Sequence, residues 1–319
     1  MPKFRVLVTD YAWPDLDIER AILNEVDAEI VLPTENSLAA LKAAAQGVDA
    51  IMTNWAKTTA DVIAAAPNCK IVARLGIGLD NIDVAYCTER KIPVTNVPDY
   101  CLIEVAEQTL ALVFGLGRKI GWYHHATKSG KYELQAGPPM FRMQGQTLGL
   151  IGFGNIARLV AEKALGLGLK VLVCNRTKKD APAGVEWTDL DGVLSRSDYV
   201  SLHVPATPET KKMMNAAAFA KMKPTAYLIN TSRGALVDHD ALAAVLAAGT
   251  IAGAGLDVQD PEPCDLTIAP YNDPRVIVCP HAAFVSKESL ENLRSRTARQ
   301  TADRLSGKTP ENVRNPQVL

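Results

Sequence analysis

An apolar strand pattern, a glycine turn and the start of a helix follow one another in Thr147-Leu-Gly-Leu-Ile-Gly152-Phe-Gly154-Asn-Ile-Ala157. Gly152 permits the tight turn, and Gly154 lets a pyrophosphate approach the backbone. Ala157 stands where a third glycine is common, and its small side chain keeps helix and strand close. The amides at the start of the helix offer N–H groups to phosphates. Since the strand–turn–helix context is intact, the stretch predicts dinucleotide binding, with contacts at Gly152, Gly154, Asn155 and Ile156.

Short apolar runs alternate with amphipathic segments along the whole chain, a pattern typical of parallel sheets with crossover helices. Five strands are predicted before residue 97, and a second series begins at residue 147 and includes strands at 170–175 and 199–203. Residues 101–119 predict a long apolar helix, and residues 121–146 are predicted to be irregular. The predicted fold class is α/β, with two Rossmann-like domains.

Bulk composition excludes several classes of protein. The 319 residues carry a formal net charge of −1 without a basic stripe, which argues against nucleic-acid binding. No apolar run reaches the roughly 18 residues that a membrane-spanning helix needs. The six cysteines never form a C-x-x-C pair, so no disulfide framework or metal site is expected. These observations predict a reduced, cytoplasmic protein.

The end of the strand after the glycine turn bears on the choice of cofactor. Folds that select NAD usually place an acidic residue there, but this chain has Asn175-Arg176-Thr177-Lys178-Lys179. Arg176, Thr177 and the lysines could bind a 2′-phosphate that a carboxylate would repel. We therefore expect NADP(H) to be preferred, with NAD(H) possible; a solvated basic loop is the alternative interpretation.

Three polar residues stand at predicted strand ends in the second half of the chain: Arg233, Glu262 and His281. Arginine can polarise a ketone and bind a carboxylate, and histidine can deliver a proton. A glutamate can hold that histidine protonated. Because ligands bind at the carboxyl ends of strands in open α/β sheets, the three are predicted to act together in reducing a 2-keto acid.

Two other histidines receive different interpretations. His203 ends a strand in Leu202-His-Val-Pro-Ala206 and is expected near the cofactor, together with Val204 and Pro205. His239 follows Asp238 at a helix start, where an exposed position is expected.

The first half of the chain contains a second strand–glycine–helix unit, Ala73-Arg74-Leu-Gly76-Ile77-Gly78. Its glycine spacing does not fit a dinucleotide loop. The amides of Gly76 and Ile77 could instead bind a substrate carboxylate with help from Arg74, although a simple tight turn is the alternative.

Taken in order, these motifs resemble those of the D-isomer-specific 2-hydroxyacid dehydrogenases. The resemblance is carried by the motifs already quoted and by Asn230-Thr-Ser-Arg-Gly, Gly255-Leu-Asp-Val258, Glu262-Pro263 and Pro280-His-Ala282. It implies that Arg233 binds the keto oxygen and carboxylate, that His281 is the acid/base, and that Glu262 supports it. Thr231, Ser232 and Asp257 are then implied to lie near the cofactor.

The resemblance also implies the domain organisation. A flavodoxin-like substrate domain would comprise residues 1–100 and 288–319, with a dinucleotide-binding domain of residues 101–287 inserted into it. Members of the family are usually homodimers through the nucleotide domain. Glyoxylate and hydroxypyruvate are plausible substrates.

Within the family, the stretch around His281 is similar to the C-terminal-binding-protein branch, whose members are corepressors. Phe284 stands where that branch often has tryptophan, and we expect it to line the substrate pocket. The alternative function is therefore a nucleotide-sensing protein on the same fold with little turnover. A synthetic 3-phosphoglycerate dehydrogenase is a weaker alternative.

Overall fold

The computed structural model describes residues 2–134, 139–178 and 180–319. It divides the chain into two compact units, Met1–Tyr100 with Ser286–Leu319, and Cys101–Val285. The boundary between Val285 and Ser286 falls at a helix cap, because the Ser286 hydroxyl accepts a hydrogen bond from the Ser289 N–H at 2.9 Å. The helix and its cap thus belong to one unit, and the break lies two residues before the predicted 288.

The elements of both units alternate along the chain. The strands are β1 (Phe4–Val8), β2 (Ala28–Val31), β3 (Ala50–Thr53), β4 (Val72–Arg74), β5 (Val94–Thr95), β6 (Thr147–Ile151), β7 (Lys170–Cys174), β8 (Val185–Trp187), β9 (Tyr199–Leu202), β10 (Tyr227–Asn230), β11 (Gly253–Leu256) and β12 (Val276–Val278). The helices are α1 (Asp17–Asn24), α2 (Leu38–Ala45), α3 (Ala60–Ala64), α4 (Val84–Glu89), α5 (Leu102–Gly117), α6 (Ile120–Lys128), α7 (Asn155–Gly166), α8 (Leu190–Arg196), α9 (Ala216–Phe219), α10 (His239–Ala247) and α11 (Lys287–Leu305).

Each unit has its own parallel sheet. The first sheet has five strands in the order β2-β1-β3-β4-β5, which is the flavodoxin-like order. The second has seven strands in the order β12-β11-β10-β9-β6-β7-β8, which is the dinucleotide-binding order with its reversal between β6 and β9. The predicted fold class is confirmed: both units are doubly wound α/β, and the second is inserted into the chain of the first.

Apolar side chains cover both faces of each sheet. Along β10, Leu228 packs into one buried cluster, whereas Tyr227 and Ile229 pack into another. Along β1, Leu7 and its neighbours Val6 and Val8 divide between two clusters in the same way. Successive side chains of a strand point to opposite faces, so this alternation buries the strands between helical layers.

Two local predictions were wrong. Helix α6 occupies Ile120–Lys128, where irregular structure was expected. Lys119 adopts a left-handed φ of 55°, which ends α5 and lets a new helix start immediately. Strand β8 was missed because it has only three residues and pairs with β7 alone at the edge of the sheet.

In the part of the chain that the structure describes, no helix is long and apolar enough to cross a bilayer.

Candidate active site

The carboxyl ends of five neighbouring strands of the second unit meet at one edge of its sheet. Gly152 follows β6, His203 follows β9, and Arg233 lies three residues after β10. Asp257 follows β11, and His281 lies shortly after β12. Because parallel strands end at the same edge, the fold gathers residues that are up to 129 positions apart (281 − 152).

Glu262 and His281 form the hydrogen-bonded pair that the sequence predicts. Nδ1 of His281 lies 2.9 Å from Oε2 of Glu262, and the Gln259 N–H donates to Oε1 of Glu262, also at 2.9 Å. Burial tends to raise the pKa of Glu262, but the hydrogen bond and positive charge of His281 oppose this rise. The Gln259 N–H and the charge of Arg233 add to this effect, so the pKa lies below its ordinary value. Glu262 is therefore an anion that favours a protonated partner.

Asp257 holds the backbone that carries His281. His281 adopts a left-handed φ of 55°, a conformation that costs a non-glycine residue about 1–3 kcal/mol. The carbonyl of Asp257 accepts the His281 N–H at 2.7 Å, and its carboxylate accepts the N–H groups of Ala282 and Ala283 at 3.0 and 2.9 Å. Burial raises the pKa of Asp257 even though these two N–H groups oppose the rise. These bonds fix the turn at His281.

The turn that carries Arg233 is fixed by hydrogen bonds to main-chain groups. Nδ2 of Asn230 donates to the carbonyl of Arg233 at 2.8 Å, and Oδ1 of Asn230 accepts the Ser232 N–H at 3.0 Å. The Ser232 hydroxyl donates to the carbonyl of Leu202 at the end of β9, at 2.7 Å. The guanidinium donates from Nη1 to the carbonyl of Ser232 at 2.8 Å. The Arg233 turn is thus pinned to two neighbouring strands.

Two residues that hold the site together were missed or misjudged from the sequence. Gln259 joins the ends of β11 and β12, because its Nε2 donates to the carbonyls of Leu256 (3.3 Å) and Cys279 (3.0 Å). His239 was expected to be exposed and is instead half-buried, because its ring packs against Tyr271 with centroids 5.6 Å apart. Neither contact has a signal in the sequence, since each joins segments that only the fold brings together.

Phe284 lies beside the acid/base candidate. Its ring packs edge-on against that of His281, with centroids 6.2 Å apart and an interplanar angle of 82°. The half-buried Phe284 therefore lies beside the imidazole of the predicted acid/base residue.

The glycine turn fits a dinucleotide. Gly152 has a φ of 97°, and a Cβ there would lie 2.5 Å from the carbonyl oxygen of His203. At Gly154, by contrast, a Cβ would meet nothing within 4 Å, so this backbone is open to a phosphate. Gly154 precedes the 12-residue helix α7, and its exposed neighbour Asn155 begins the helix. The first amides of a helix, here at Asn155 and Ile156, have no partner within the helix.

The segment predicted to choose the cofactor follows β7. Oδ1 of Asn175 accepts the Phe153 N–H of the glycine turn at 3.2 Å, and its Nδ2 donates to the carbonyl of Thr177 at 2.6 Å. Asn175 thus links the glycine turn to the segment after β7 by hydrogen bonds. Arg176, Thr177 and Lys178 are exposed, and no carboxylate stands among residues 175–178. Lys179 lies outside the described residues.

The remaining predicted cofactor contacts line the same edge. The ring of His203 bonds to the Ser201 hydroxyl through Nε2 at 2.9 Å, and desolvation lowers the pKa of His203 to about 4. His203 is therefore neutral at physiological pH. The Thr231 hydroxyl pairs with that of Thr109 at 2.9 Å. Val204 lies against Gly152, and the carbonyl of Pro205 accepts from the Thr210 hydroxyl at 2.7 Å.

The predicted carboxylate-binding loop belongs to the first unit. The Arg74 side chain is folded over Gly76, where a Cβ would lie 2.8 Å from Cζ, and its Nε donates to the carbonyl of Gly78 at 2.9 Å. The carbonyls of Gly76 and Ile77 accept hydrogen bonds from the Val97 N–H (3.1 Å) and the Asn96 side chain (2.7 Å). The buried Arg74 thus shapes the loop, and these contacts leave its role toward substrate a prediction.

No group of three or more histidine, cysteine, aspartate or glutamate side chains among the described residues is arranged to hold a metal ion.

The family model and the curated relatives that match this chain all describe enzymes of one kind. The family model for the D-isomer-specific 2-hydroxyacid dehydrogenase NAD-binding domain matches residues 110–283. The chain is 37% identical over 287 residues to a glyoxylate reductase from Thermococcus litoralis, with 85% of each protein covered. It is 37% identical over 263 residues to a hydroxypyruvate reductase from Thermotoga maritima, with 82% of this chain and 85% of the relative covered.

Solved structures agree with this result. The TT0316 protein from Thermus thermophilus superposes with a TM-score of 0.90 at 32% identity, covering 97% of this chain and 99% of that one. An NADPH-dependent glyoxylate/hydroxypyruvate reductase from Sinorhizobium meliloti, solved with NADP and malonate, gives 0.86 at 28% identity, with coverages of 98% and 97%. A D-lactate dehydrogenase from Aquifex aeolicus, solved with NAD and lactic acid, gives 0.85 at 29%, with coverages of 95% and 96%.

Proposed function

The chain belongs to the D-isomer-specific 2-hydroxyacid dehydrogenases, oxidoreductases that act on 2-hydroxy acids with a nicotinamide cofactor, and from this premise we propose that it is an NADP(H)-preferring 2-keto acid reductase. The observation that carries the proposal is the 2.9 Å hydrogen bond between Glu262 and His281, at the sheet edge where Arg233 also stands.

In this proposal Arg233 binds the keto oxygen and the carboxylate of the substrate. The hydride for the carbonyl carbon would come from a reduced nicotinamide when this cofactor is bound. The resulting negative charge on the oxygen is stabilised by the guanidinium. Since Nδ1 of His281 is bonded to Glu262, the proton passes to the oxygen from Nε2. The products would be a 2-hydroxy acid, the oxidised cofactor and a deprotonated His281, which regains its proton from solvent.

We further propose that residues 101–285 bind the cofactor. The open backbone at Gly154 and the first amides of α7 support the assignment of the pyrophosphate to this turn. Asp257, Thr231, Ser232 and the stretch His203-Val204-Pro205 would surround the nicotinamide. The neutral state of His203 suits this place, because a nicotinamide that becomes positively charged would be repelled by a protonated imidazole.

The preference for NADP(H) is supported by the absence of a carboxylate at 175–178 and by the exposed cations Arg176 and Lys178. The S. meliloti relative is named as NADPH-dependent, whereas the A. aeolicus relative was solved with NAD. Both cofactors occur among the relatives, so the preference rests on this chain's own residues.

We also propose that the loop Arg74–Ile77 binds the substrate carboxylate. Among the described residues, the amides of Gly76 and Ile77 have no protein acceptor, whereas their carbonyls are both hydrogen-bonded. Phe284 would border the substrate side chain. Glyoxylate and hydroxypyruvate are the proposed substrates, because relatives named for their reduction are 37% identical to this chain over 287 and 263 aligned residues.

A homodimer through residues 101–285 is proposed as well. It is supported by exposed apolar side chains in this unit, of which Tyr132 and Leu134 are 91% and 93% exposed. Size-exclusion chromatography with light scattering tests it.

The proposed activity is tested by steady-state rates with ten 2-keto acids, each measured with NADPH and with NADH. We expect glyoxylate or hydroxypyruvate to be reduced, with the higher kcat/KM for NADPH. If no acid oxidises either cofactor but the cofactor drives dimerisation, the nucleotide-sensing alternative is correct instead.

A further inference from the structure

His239 and Tyr271 are not among the three predicted catalytic residues (Arg233, Glu262 and His281, here called the catalytic trio), yet both lie against the segments that carry them. Nε2 of His239 lies 3.2 Å from the carbonyl of Gly234, the residue after Arg233. Nδ1 of the same ring lies 3.1 Å from the Tyr271 hydroxyl. One imidazole thus joins the Arg233 turn to a distant loop.

The direction of these hydrogen bonds follows from their partners. A carbonyl only accepts, so Nε2 carries the hydrogen and Nδ1 is the bare nitrogen. The Tyr271 hydroxyl therefore donates to Nδ1. Burial lowers the pKa of His239, against the opposing effects of the Gly234 carbonyl and the carboxylates of Asp260, Asp238 and Asp240. The neutral ring that this pattern needs is thus the form present at neutral pH.

Tyr271 extends the connection to the loop that carries Glu262. Desolvation raises the pKa of the Tyr271 phenol to about 12, and the backbone of Asp260, two residues before Glu262, lies close enough to the phenol oxygen to oppose this rise. The hydroxyl thus donates to His239 and faces the backbone that leads to Glu262. Tyr271 therefore remains a neutral donor across the working pH range.

The turn that carries Arg233 also packs directly against the segment that carries Glu262. A Cβ at Gly234 would lie 2.0 Å from the carbonyl oxygen of Gln259, whose N–H donates to Glu262. Any shift of the Arg233 turn would therefore displace Gln259, and with it the carboxylate that holds His281.

We propose that His239 and Tyr271 are positioning residues, which clamp the Arg233 turn to the Glu262 loop and so set the distance between the oxygen-binding guanidinium and the proton donor. The clamp deepens the proposed function and rests on it for its effect on turnover. It requires no contact of either residue with substrate or cofactor.

The test compares Tyr271→Phe, His239→Ala, the double variant and His239→Gln with the unaltered full-length protein. Tyr271→Phe removes one oxygen and keeps the ring, so it is the variant that preserves folding best. His239→Gln retains an amide that can donate to the Gly234 carbonyl. Tyr11→Phe is the matched control, because it removes a hydroxyl from a side chain that is 39% exposed and belongs to the first unit.

Two readouts separate the clamp from the activity. Hydrogen exchange followed by mass spectrometry should show faster exchange at 233–237 and 257–263 in Tyr271→Phe and His239→Ala, with β10 and β11 still protected. In steady-state assays kcat should fall about tenfold or more, since small misplacements at reacting groups are costly, while the dissociation constant of NADPH stays unchanged. The double variant should be no worse than His239→Ala, and His239→Gln should recover part of the lost kcat.

Unchanged exchange at both segments, or a loss of kcat that the double variant simply multiplies, overturns the clamp. So does a loss of kcat that only tracks a fall in the folded fraction measured by circular dichroism. If the exchange changes as expected but the unaltered protein reduces no 2-keto acid, the clamp stands and the proposed function fails.

Discussion

The carboxyl ends of β10–β12 and the end of β7 serve the same proposed reaction but are built differently. In the first region the side chains of Glu262, Asp257 and Asn230 form hydrogen bonds of about 3 Å to main-chain groups. At the second, Arg176 and Lys178 are exposed side chains on a short loop. Transfer of a proton and polarisation of a carbonyl demand fixed geometry, whereas attraction of a phosphate demands only charge nearby. The first region should therefore tolerate little change and the second a great deal.

The largest effect is expected at Arg233. Arg233→Ala should lower kcat/KM for every 2-keto acid by about 10²–10³-fold, the typical cost of removing one preorganised donor to a developing oxyanion. The dissociation constant of NADPH, measured by fluorescence titration, should not change. Arg233→Lys keeps the charge but loses the planar fork, so it should recover only part of the rate. Near-normal turnover in Arg233→Ala would remove this residue from the mechanism.

Glu262→Gln should have the next largest effect and a characteristic pH dependence. The rate of reduction should fall about tenfold to a hundredfold, within the contribution that proton transfer makes to catalysis. The unaltered protein loses the Glu262 anion as the pH falls through the lowered pKa of this carboxyl, so its advantage over Glu262→Gln should shrink only in acid. Asp265→Asn, at an exposed acid in the same loop, should leave the profile in place.

The lowered pKa of Glu262 also fixes the sign of a stability effect. A carboxyl whose pKa is depressed by folding contributes stability above its unfolded pKa and loses it as the pH falls through the folded value. Thermal unfolding should therefore separate Glu262→Gln from the unaltered protein at pH 7. The separation should vanish in acid, below the folded pKa of Glu262. A difference that grows with acidity would contradict the pairing.

These two regions also show what the sequence could predict. Alternating apolar runs indicated the two sheets, and strand-terminal polar residues such as Glu262 and His281 came together because parallel strands end at one edge. The clamp of His239 and Tyr271 escaped prediction, since its partners are 32 positions apart and one of them is a backbone carbonyl (271 − 239). Helix α6 escaped because a single left-handed residue at Lys119, not a sequence pattern, lets it begin.

The glycine turn allows a contrast within the cofactor region itself. Gly154→Ala should fold normally, because a Cβ there meets nothing within 4 Å, yet it should weaken NADPH binding about tenfold by occupying the space for the pyrophosphate. Gly152→Ala should instead destabilise the protein by about 1–3 kcal/mol, because of its positive φ and the contact with the His203 carbonyl. Urea unfolding and NADPH titration of both variants separate the two effects. Equal affinity in Gly154→Ala would move the pyrophosphate away from this turn.

The smallest effect is expected at Arg176. Since the side chain is exposed, Arg176→Ala should lower kcat/KM with NADPH by only about threefold to fivefold, the range set by about 1 kcal/mol for an exposed ion pair. The value with NADH should stay the same, because NADH has no 2′-phosphate. Raising the salt concentration should shrink the effect, since exposed charges are screened within about 10 Å at 0.1 M. Lys211→Ala, at another exposed cation, serves as the control. A hundredfold loss of kcat/KM with NADPH would mean that Arg176 has a fixed geometry around the phosphate, as the catalytic residues have around the substrate. The contrast between the two regions would then be wrong.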